Sequence, residues 1–469
     1  MTGSEAPASR PLKDADFRVL GLVFPRERLS RGASVLDLHS RDESFHEPRR
    51  PEAVAWPVDA GEVSRALEWA YEREIPVTAR GAGTGVEGGA IPMAGGLVLD
   101  FARMNRVLDI RPEDFLVVAE PGVLYTDLNT ELQRLHTGLF FPPDPGASAS
   151  LGGMVATNAS GIRTVRYGST HRYVKRLEVA LADGRRAEVG TLAHKSSSGY
   201  DVTGLFVGSE GTLGVFTRIT LELAPLPPEV MTALAAFPDA GSATRAVTAV
   251  MASGLGPAAC EFLDEVTVGT VEAAGRLGLA PHPLLFLEFH GSSSSGLAAD
   301  VSLVEEACRA EGALTFDAGV GPDERARLWD ARHRAYHTIR EAHPGRAILI
   351  VDAAVPRSRY PELAARAREA VDRRGLTGYI FGHAGDGNLH CLILEPREPG
   401  AARDAVHEAN AEIVEAALAL GGTATGEHGV GVGKRKFLAR EHGAGLDLMR
   451  LVKHSLDPRG ILNPGKVLP

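Results

Sequence analysis

The stretch Gly204-Leu205-Phe206-Val207-Gly208-Ser209-Glu210-Gly211-Thr212-Leu213-Gly214 decides the fold of this 469-residue chain. It is the third of three glycine-rich tracts in the N-terminal half, after residues 80–96 and 142–167. Glycines let a backbone approach a ligand closely, and successive free N–H groups bind anions such as a pyrophosphate. One such tract is commonly an ordinary surface loop. Three of them in one half of a chain favour a binding site.

The first tract contains Gly83-Thr84-Gly85-Val86-Glu87-Gly88, which matches the GxGxxG pattern after a predicted strand. A dinucleotide fingerprint also requires a helix at that point and an acidic residue about 20 residues later. Asp100 could be that acid, but Pro92, Gly95 and Gly96 would break any helix before it. We therefore reject a Rossmann fold.

The elements around the tracts predict an α+β protein of at least two domains. Hydrophobic spacing predicts a helix that opens at Asp59 and another over 125–135, with short strands between them. The run Pro225-Leu226-Pro227-Pro228 then interrupts the chain. Beyond it, alanine-rich helices at 361–373 and 401–419 alternate with apolar strands.

Four segments follow from this pattern. We expect a leader with a first helical segment at 1–45 and the glycine-rich domain at 46–228. A second α+β domain with an antiparallel sheet is expected at 229–440. Residues 441–469 are expected to return to the first domain as a closing segment.

Composition excludes several classes of function. A net charge of −10 and a pI near 5.9 argue against a nucleic-acid partner. Three distant cysteines without a CxxC motif give no disulfide framework and no thiolate metal site. No apolar run has transmembrane length, and the first sixteen residues lack the apolar core of a secretory signal. We expect a cytoplasmic protein, with peripheral attachment at the inner membrane face as the alternative.

The C-terminal half carries a second constellation, Gly382-His383-Ala384-Gly385-Asp386-Gly387-Asn388-Leu389-His390 and, later, Glu427-His428. Asp-Gly between two strand-like runs predicts a hairpin. If it forms the turn, His383 and His390 are directly opposed, with Cβ atoms about 5 Å apart. A wider glycine-rich loop could also bring them together.

Two histidines and a carboxylate suit Zn²⁺ or Mn²⁺, with positions left open for a substrate. A zinc hydrolase would be a different class of protein, but the chain has no HExxH motif. That function would also leave the glycine-rich tracts unexplained.

The three tracts resemble the flavin loops of the vanillyl-alcohol oxidase/PCMH-type FAD-binding superfamily. In that superfamily the first loop holds the pyrophosphate, and the others wrap the ribityl chain and the isoalloxazine. Some relatives attach FAD covalently through a histidine where this chain has Thr84, so we expect non-covalent FAD. The resemblance implies these FAD-binding residues: Arg80, Gly81, Gly83, Thr84, Gly85, Asp144, Ser150, Gly153, Thr157, Asn158, Ser160, Gly161, Tyr167, Gly168, Gly208, Glu210, Gly211, Thr212, Gly214 and Asn463.

The C-terminal motifs resemble the flavin-dependent D-2-hydroxyacid dehydrogenases, so the second domain is expected to be a substrate- and metal-binding cap. The resemblance implies His383, His390 and Glu427 as metal ligands. It also implies that Arg332 grips the substrate carboxylate, although without the motif Arg332 would be taken for a surface arginine. In the implied reaction His428 removes a proton from the metal-bound hydroxyl while a hydride passes from C2 to FAD.

The substrate is expected to be a small D-2-hydroxy acid, with D-lactate favoured. Relatives that oxidise D-2-hydroxyglutarate bind the second carboxylate with a lysine, and the stretch 348–356 has no basic residue. The flavin subunit of a glycolate oxidase, a D-2-hydroxyglutarate dehydrogenase and a non-catalytic flavin-binding protein are the alternatives. The electron acceptor stays open among a cytochrome, a quinone, another flavoprotein and oxygen, and a homodimer is one possible assembly.

Overall fold

The N-terminal half begins with a small sheet covered by one amphipathic helix. A computed structural model describes residues 11–319, 321–398 and 400–469, so the first ten residues of the expected leader lie outside it. The Asp59 side chain caps the long helix by accepting a hydrogen bond from Glu62 N at 2.8 Å. The elements are α1 (Asp14–Leu20), β1 (Leu29–Ser30), α2 (Ala33–Leu38), β2 (Ala53–Ala55), α3 (Ala60–Arg73), β3 (Val77–Arg80) and β4 (Leu97–Asp100), and the strand order is β1-β2-β4-β3.

Strands β3 and β4 are parallel neighbours, as they would be in a dinucleotide-binding fold. Residues 81–96, which connect them and are all described, form turns and contain no helix. This agrees with the rejection of the Rossmann fold, because the helix that would receive a pyrophosphate is missing.

A five-stranded antiparallel sheet follows, with the strand order β5-β6-β10-β8-β9. The second and third glycine-rich tracts are connections of this layer. Its elements are β5 (Val107–Arg111), β6 (Leu116–Ala119), α4 (Tyr125–Arg134), β7 (Leu139–Phe140), α5 (Leu151–Thr157), α6 (Thr164–Tyr167), α7 (Thr170–Tyr173), β8 (Val174–Ala180), β9 (Arg186–Gly190), α8 (Val202–Phe206), β10 (Val215–Glu222) and β11 (Ala224–Pro225).

The C-terminal half is built on a seven-stranded antiparallel sheet, with the strand order β15-β12-β14-β13-β17-β18-β16. The predicted α+β class with an antiparallel second sheet is confirmed. Its elements are β12 (Glu229–Ala236), α9 (Ala240–Ala252), β13 (Ala259–Leu263), α10 (Glu265–Gly275), β14 (Leu284–Gly291), α11 (Ser294–Ala310), β15 (Thr315–Ala318), α12 (Pro322–His333), α13 (Ala335–Ala342), β16 (Ala347–Ala354), α14 (Tyr360–Asp372), β17 (Gly378–Gly382), β18 (Asn388–Glu395), α15 (Ala401–Ala419), α16 (Leu438–His442) and α17 (Gly445–Leu456).

Two apolar layers cover the faces of this sheet. Helices α9, α11, α14 and α15 bury one face, and α10, α12 and α13 contribute to the cluster on the other. The second cluster includes Phe381 and Leu392, whose strands also carry the candidate site. The candidate site is therefore built on two internal strands of a sheet that is packed on both faces.

The chain ends on the first domain. Asn463 N donates to Val77 O at 2.8 Å, and Leu462 pairs with Val77 as an isolated parallel bridge. Residues 461–463 thus pair with the β3 strand of the small N-terminal sheet. Within the described residues, no helix is both long and apolar enough to cross a membrane.

Candidate active site

A cleft lies where the glycine-rich connections meet the seven-stranded sheet. All five residues predicted for catalysis and metal binding line it, namely Arg332, His383, His390, Glu427 and His428. From the other side it is lined by predicted cofactor residues: Arg80, Gly81, Gly83, Thr84, Gly85, Asp144, Ser150, Gly153, Thr157, Ser160, Glu210, Gly211 and Gly214. The fold therefore brings the two constellations of the sequence into one space.

The flavin-loop side of the cleft is shaped by close backbone packing. Ser150 caps α5 by accepting from Gly153 N at 3.3 Å. A Cβ atom at Gly81 would overlap the Ser150 hydroxyl, so no larger residue fits there. Gly161, at φ +136°, passes so close to the Asp144 carbonyl that a side chain would collide with it. The result is a bare backbone cradle of the kind an extended cofactor needs.

Seven predicted cofactor residues do not line the cleft. Tyr167 donates to or accepts from His290 Nδ1 at 2.7 Å, and the Asn158 side chain accepts from His171 N at 2.9 Å. Asn463 Nδ2 donates to Glu210 O at 2.7 Å and so ties the C-terminal segment to the third tract. The others are Gly161, Gly168, Gly208 and Thr212, which belong to the turns that support the cradle.

Asp144 lines the cleft, but protein groups already surround its carboxylate. It accepts from the Tyr125 hydroxyl at 2.9 Å and pairs with Arg163 and His333, each at 3.4 Å. Burial opposes ionisation, but the bond to His333 and the charge of Arg163 hold the pKa of Asp144 below its usual range. Because His333 follows Arg332 on α12, Asp144 ties that helix to the second glycine-rich tract.

The two histidines meet through a loop, not as a directly opposed pair. Strand β18 pairs with β17 so that His390 lies opposite Phe381, and His383 lies beyond the end of the ladder. A short 3₁₀ turn over Ala384–Asp386 then brings the chain back, with Gly387 at φ +79°. The predicted two-residue turn is wrong, and the wider glycine-rich loop holds instead. The ring centroids of His383 and His390 are 5.2 Å apart.

Glu427 completes a candidate set of three metal ligands with His383 and His390. Its Oε1 lies 3.0 Å from His383 Nε2 and 3.2 Å from His390 Nε2. Its Oε2 is buried and has no hydrogen-bond partner in the described part of the chain. Burial opposes ionisation, but His383 and His390 hold the pKa of Glu427 well below its usual range. The ligand atoms of the two imidazoles and the carboxylate lie within 4.8 Å of one another, a grouping that fits a divalent cation.

Behind this set lies a buried glutamate that the sequence analysis did not identify. Glu261, on β13, accepts from His383 Nδ1 at 2.8 Å and from Arg332 Nη2 at 2.5 Å. It therefore fixes the His383 ring with Nε2 toward Glu427. Burial raises the pKa of Glu261, but His383 and Arg332 outweigh it, so the pKa lies below its usual value.

Arg332 is a buried residue, with 6% of its surface exposed. Its guanidinium carbon lies 4.9 Å from the Phe381 ring centroid. While Nη2 binds Glu261, the buried Nε has no partner among the described residues. The alternative of a surface arginine is therefore wrong. The guanidinium of Arg332 is fixed in the cleft, and its Nε–H remains available as a hydrogen-bond donor.

Two further carboxylates hold the loop that carries Glu427 and His428. Glu210, in the third glycine-rich tract, accepts from Val430 N at 2.7 Å and from Gly431 N at 2.9 Å. Asp352, on β16, accepts from Gly426, Glu427 and His428 N at 2.9–3.0 Å. The loop that carries Glu427 and His428 is thus anchored to both halves of the molecule.

The sequence analysis did not identify the buried acids Glu261 and Asp352, although each has a recognisable sequence context. Each is a single charged residue inside an apolar strand, in Ala-Cys-Glu-Phe-Leu and in Leu-Ile-Val-Asp-Ala-Ala. Charges in such positions are rarely buried unless they are paired. This context predicts that each acid is paired, but it does not predict with which residue.

Two family models match the chain. Residues 51–190 match the family described as "FAD binding domain", and residues 226–467 match "FAD linked oxidases, C-terminal domain". A probable mitochondrial D-lactate dehydrogenase of Danio rerio is 42% identical, over 94% of this chain and 89% of that protein. Glycolate oxidase subunit GlcD of Bacillus subtilis is 36% identical, over 92% of each chain.

Solved structures agree on the fold. The 4-ethylphenol oxidase of Gulosibacter chungangensis superposes with a TM-score of 0.83 over 99% of both chains, at 19% identity. For p-cresol methylhydroxylase the TM-score is 0.78 over 98% of both chains, at 15% identity. The chain belongs to the FAD-linked oxidases, has the PCMH-type fold and is an FAD-dependent oxidoreductase.

Proposed function

We propose that the protein is a dehydrogenase of D-2-hydroxy acids and that D-lactate is its substrate. One observation carries the proposal. The candidate ligand set, the guanidinium of Arg332 and the imidazole of His428 line the same cleft as the glycine-rich flavin loops. A hydroxy acid in that cleft would meet a cation, a base and the cofactor together. We also infer that FAD is held without a covalent bond, because Thr84 offers no imidazole.

Each side chain has a role in this proposal. Arg332 receives the substrate carboxylate, for which its unpaired Nε and planar guanidinium are suited. His383, His390 and Glu427 would hold a divalent cation beside the substrate hydroxyl. His428 takes the hydroxyl proton, because a neutral imidazole is a competent base near neutral pH. When bound, FAD accepts a hydride and the cation acts as a Lewis acid.

The charges around the cleft favour one carboxylate over two. Of the described arginines and lysines, only Arg80 and Arg332 line the cleft. Lys434 approaches β16 from another segment, but its Nζ lies 3.4 Å from Asp352 Oδ2 and 3.2 Å from Glu87 Oε1. A second substrate carboxylate would therefore find no free cation near Arg332. Ile350 and Leu392 add apolar surface to the same wall.

Relatives support the substrate class and one class of acceptor. The relative from Arabidopsis thaliana is named a D-lactate dehydrogenase (cytochrome) and is 36% identical over 95% of this chain. We therefore propose a cytochrome as the electron acceptor. The similarity to a glycolate oxidase subunit makes glycolate the second candidate substrate.

Anaerobic bleaching of the flavin tests the substrate. We expect D-lactate and D-2-hydroxybutyrate to reduce the bound FAD at least ten-fold faster than L-lactate, glycolate or D-2-hydroxyglutarate. Stopped-flow absorbance of the oxidised flavin measures this. Faster bleaching by glycolate would favour the second candidate, and faster bleaching by the dicarboxylate would contradict the charge argument. Bleaching by none of these acids would refute the proposed function.

A further inference from the structure

We propose that Asp352 is a positioning residue, which fixes the loop of Glu427 and His428 and sets the rings of His390 and His428. The inference rests on the proposed function, because it concerns the same ligand set and the same base. Asp352 lies on β16, next to β18 in the sheet, and its side chain is fully buried. It is not among the residues that line the cleft.

The first observation is the number of donors on one carboxylate oxygen. Oδ2 accepts from three successive amides, those of Gly426, Glu427 and His428, at 2.9, 3.0 and 3.0 Å. It also accepts from Thr425 Oγ1 at 3.0 Å. Three successive amides can converge on one oxygen only when the backbone curls around it. The positions of Glu427 and His428 therefore depend on this atom.

The second observation concerns the rings. Asp352 is the cross-strand partner of His390, and its Oδ1 lies 3.7 Å from His390 Nδ1. Its Oδ2 lies 3.8 Å from His428 Nδ1. The two rings stack at 5.0 Å with an interplanar angle of 9°. One carboxylate therefore faces the Nδ1 edge of both rings, which leaves each Nε2 toward Glu427.

These Nδ1 atoms are buried and have no hydrogen-bond partner among the described residues. A buried ring nitrogen needs a partner, and Asp352 is the acidic group that reaches both. Glu261 lies behind His383 and accepts a hydrogen bond from its Nδ1 at 2.8 Å, whereas the Asp352 oxygens lie 3.7–3.8 Å from Nδ1 of His390 and His428. The two ligand histidines thus have matching carboxylates behind them, one on β13 and one on β16.

A second metal at Asp352, His390 and His428 is the competing interpretation, because their ligand atoms also lie within 4.8 Å of one another. Lys434 argues against it. Its Nζ donates to Asp352 O at 2.7 Å and lies 3.4 Å from Oδ2. Asn388 Nδ2 occupies Oδ1 at 2.7 Å. A carboxylate that already holds an ammonium, an amide and three backbone N–H groups has no room for a second cation.

The test is Asp352→Asn in the FAD-loaded protein. The amide keeps the shape but places an NH₂ group either at the Oδ2 position, against the three backbone donors and Lys434, or at the Oδ1 position, against Asn388. We expect the affinity for added Mn²⁺ to fall by about 10–100-fold, while FAD stays at one per chain. At saturating Mn²⁺ the rate of anaerobic flavin reduction should also fall more than ten-fold, because His428 is displaced as well.

Two further variants separate positioning from support of the fold. Asp352→Glu keeps the charge but moves the oxygens by one methylene, so it should also lose Mn²⁺ affinity. Lys434→Gln keeps the Asp352 hydrogen bonds to the loop, so it should lower the melting temperature and change Mn²⁺ affinity by less than about three-fold.

If Asp352→Asn bound Mn²⁺ with the same affinity as the wild-type protein, the inference would be overturned. Loss of FAD and of folding in both Asp352 variants would also overturn it, since the residue would then support the fold alone. Failure of the wild-type protein to bind Mn²⁺ or to bleach would instead refute the proposed function, before any substitution is made.

Discussion

Arg332 is a cation held between an acid and an aromatic ring. Glu261 fixes one edge of the guanidinium, and Phe381 supports its face. A planar group with five donors can satisfy both neighbours and still offer a donor to a carboxylate. A lysine ammonium is a single point charge and cannot serve all three partners at once.

Arg332→Lys should therefore weaken the transition state by about 2–4 kcal/mol, the scale of two lost charge-assisted hydrogen bonds. The measurement is kcat/KM for D-lactate in both proteins. Arg340→Lys is the matched control, because Arg340 is an exposed arginine on the adjacent α13 and should leave kcat/KM unchanged. An unchanged kcat/KM in Arg332→Lys would remove this arginine from the substrate site.

Among the elements, the loop over 425–431 connects the two halves of the molecule. Glu210 accepts hydrogen bonds from this loop on the flavin side, at Val430 and Gly431. Burial raises the pKa of Glu210 to about 7, although the two amide bonds favour its ionised form. The loop is thus held by an acid whose charge changes near neutral pH.

This has a measurable consequence for stability. In the unfolded chain a glutamate has a pKa of about 4.3. Because the pKa of Glu210 is higher in the folded chain, the folded chain binds the Glu210 proton more tightly than the unfolded chain does. The resulting stabilisation is complete below about pH 4 and is lost as the pH rises through 7. Glu210→Gln should flatten the fall in the free energy of unfolding between pH 4.5 and 7, by up to about 3 kcal/mol.

Chemical denaturation of the FAD-loaded protein at a series of pH values measures this slope. Glu113→Gln is the control, because Glu113 is an exposed glutamate in the same half of the chain. An identical pH slope in Glu210→Gln and wild type would show that this carboxyl does not carry the effect.

Across the whole molecule, the cofactor cradle and the candidate ligand set come from different sheets. The glycine-rich tracts connect strands of the N-terminal sheets, whereas His390 lies on β18 of the seven-stranded sheet and His383 directly follows β17. The two functions should therefore be separable by substitution. Their contact depends on a few bridges, such as Asp144 with His333 and Glu210 with the 425–431 loop.

His390→Ala should lower flavin reduction by D-lactate at least 10³-fold while FAD stays at one per chain. Chelation of wild-type protein should reproduce the loss, and added Mn²⁺ or Zn²⁺ should restore it in wild type alone. His407→Ala is the control, since His407 is a partly exposed histidine of the same sheet's covering helix α15. Loss of FAD from His390→Ala would show that the two halves do not act separately.

The sequence by itself determined the elements and the residue types of the site. Helical periods are local, so helices α14 and α15 agree with their predicted bounds within a residue. The glycine-rich tracts and the motifs around His383 and Glu427 are also local, and they were enough for the FAD-binding fold.

Only the tertiary structure decided the register and the partners. His390 lies opposite Phe381 because a five-residue loop, not a two-residue turn, joins the strands. Glu261 reaches His383 across 122 positions of sequence, because β13 and β17 are neighbours in the sheet. Asp352 reaches the 425–431 loop because Thr423, just before the loop, forms an antiparallel bridge with Ala354 at the end of β16. A charged residue inside an apolar strand indicates from the sequence that it must be paired. Which residue it pairs with depends on the order of the strands in the folded sheet.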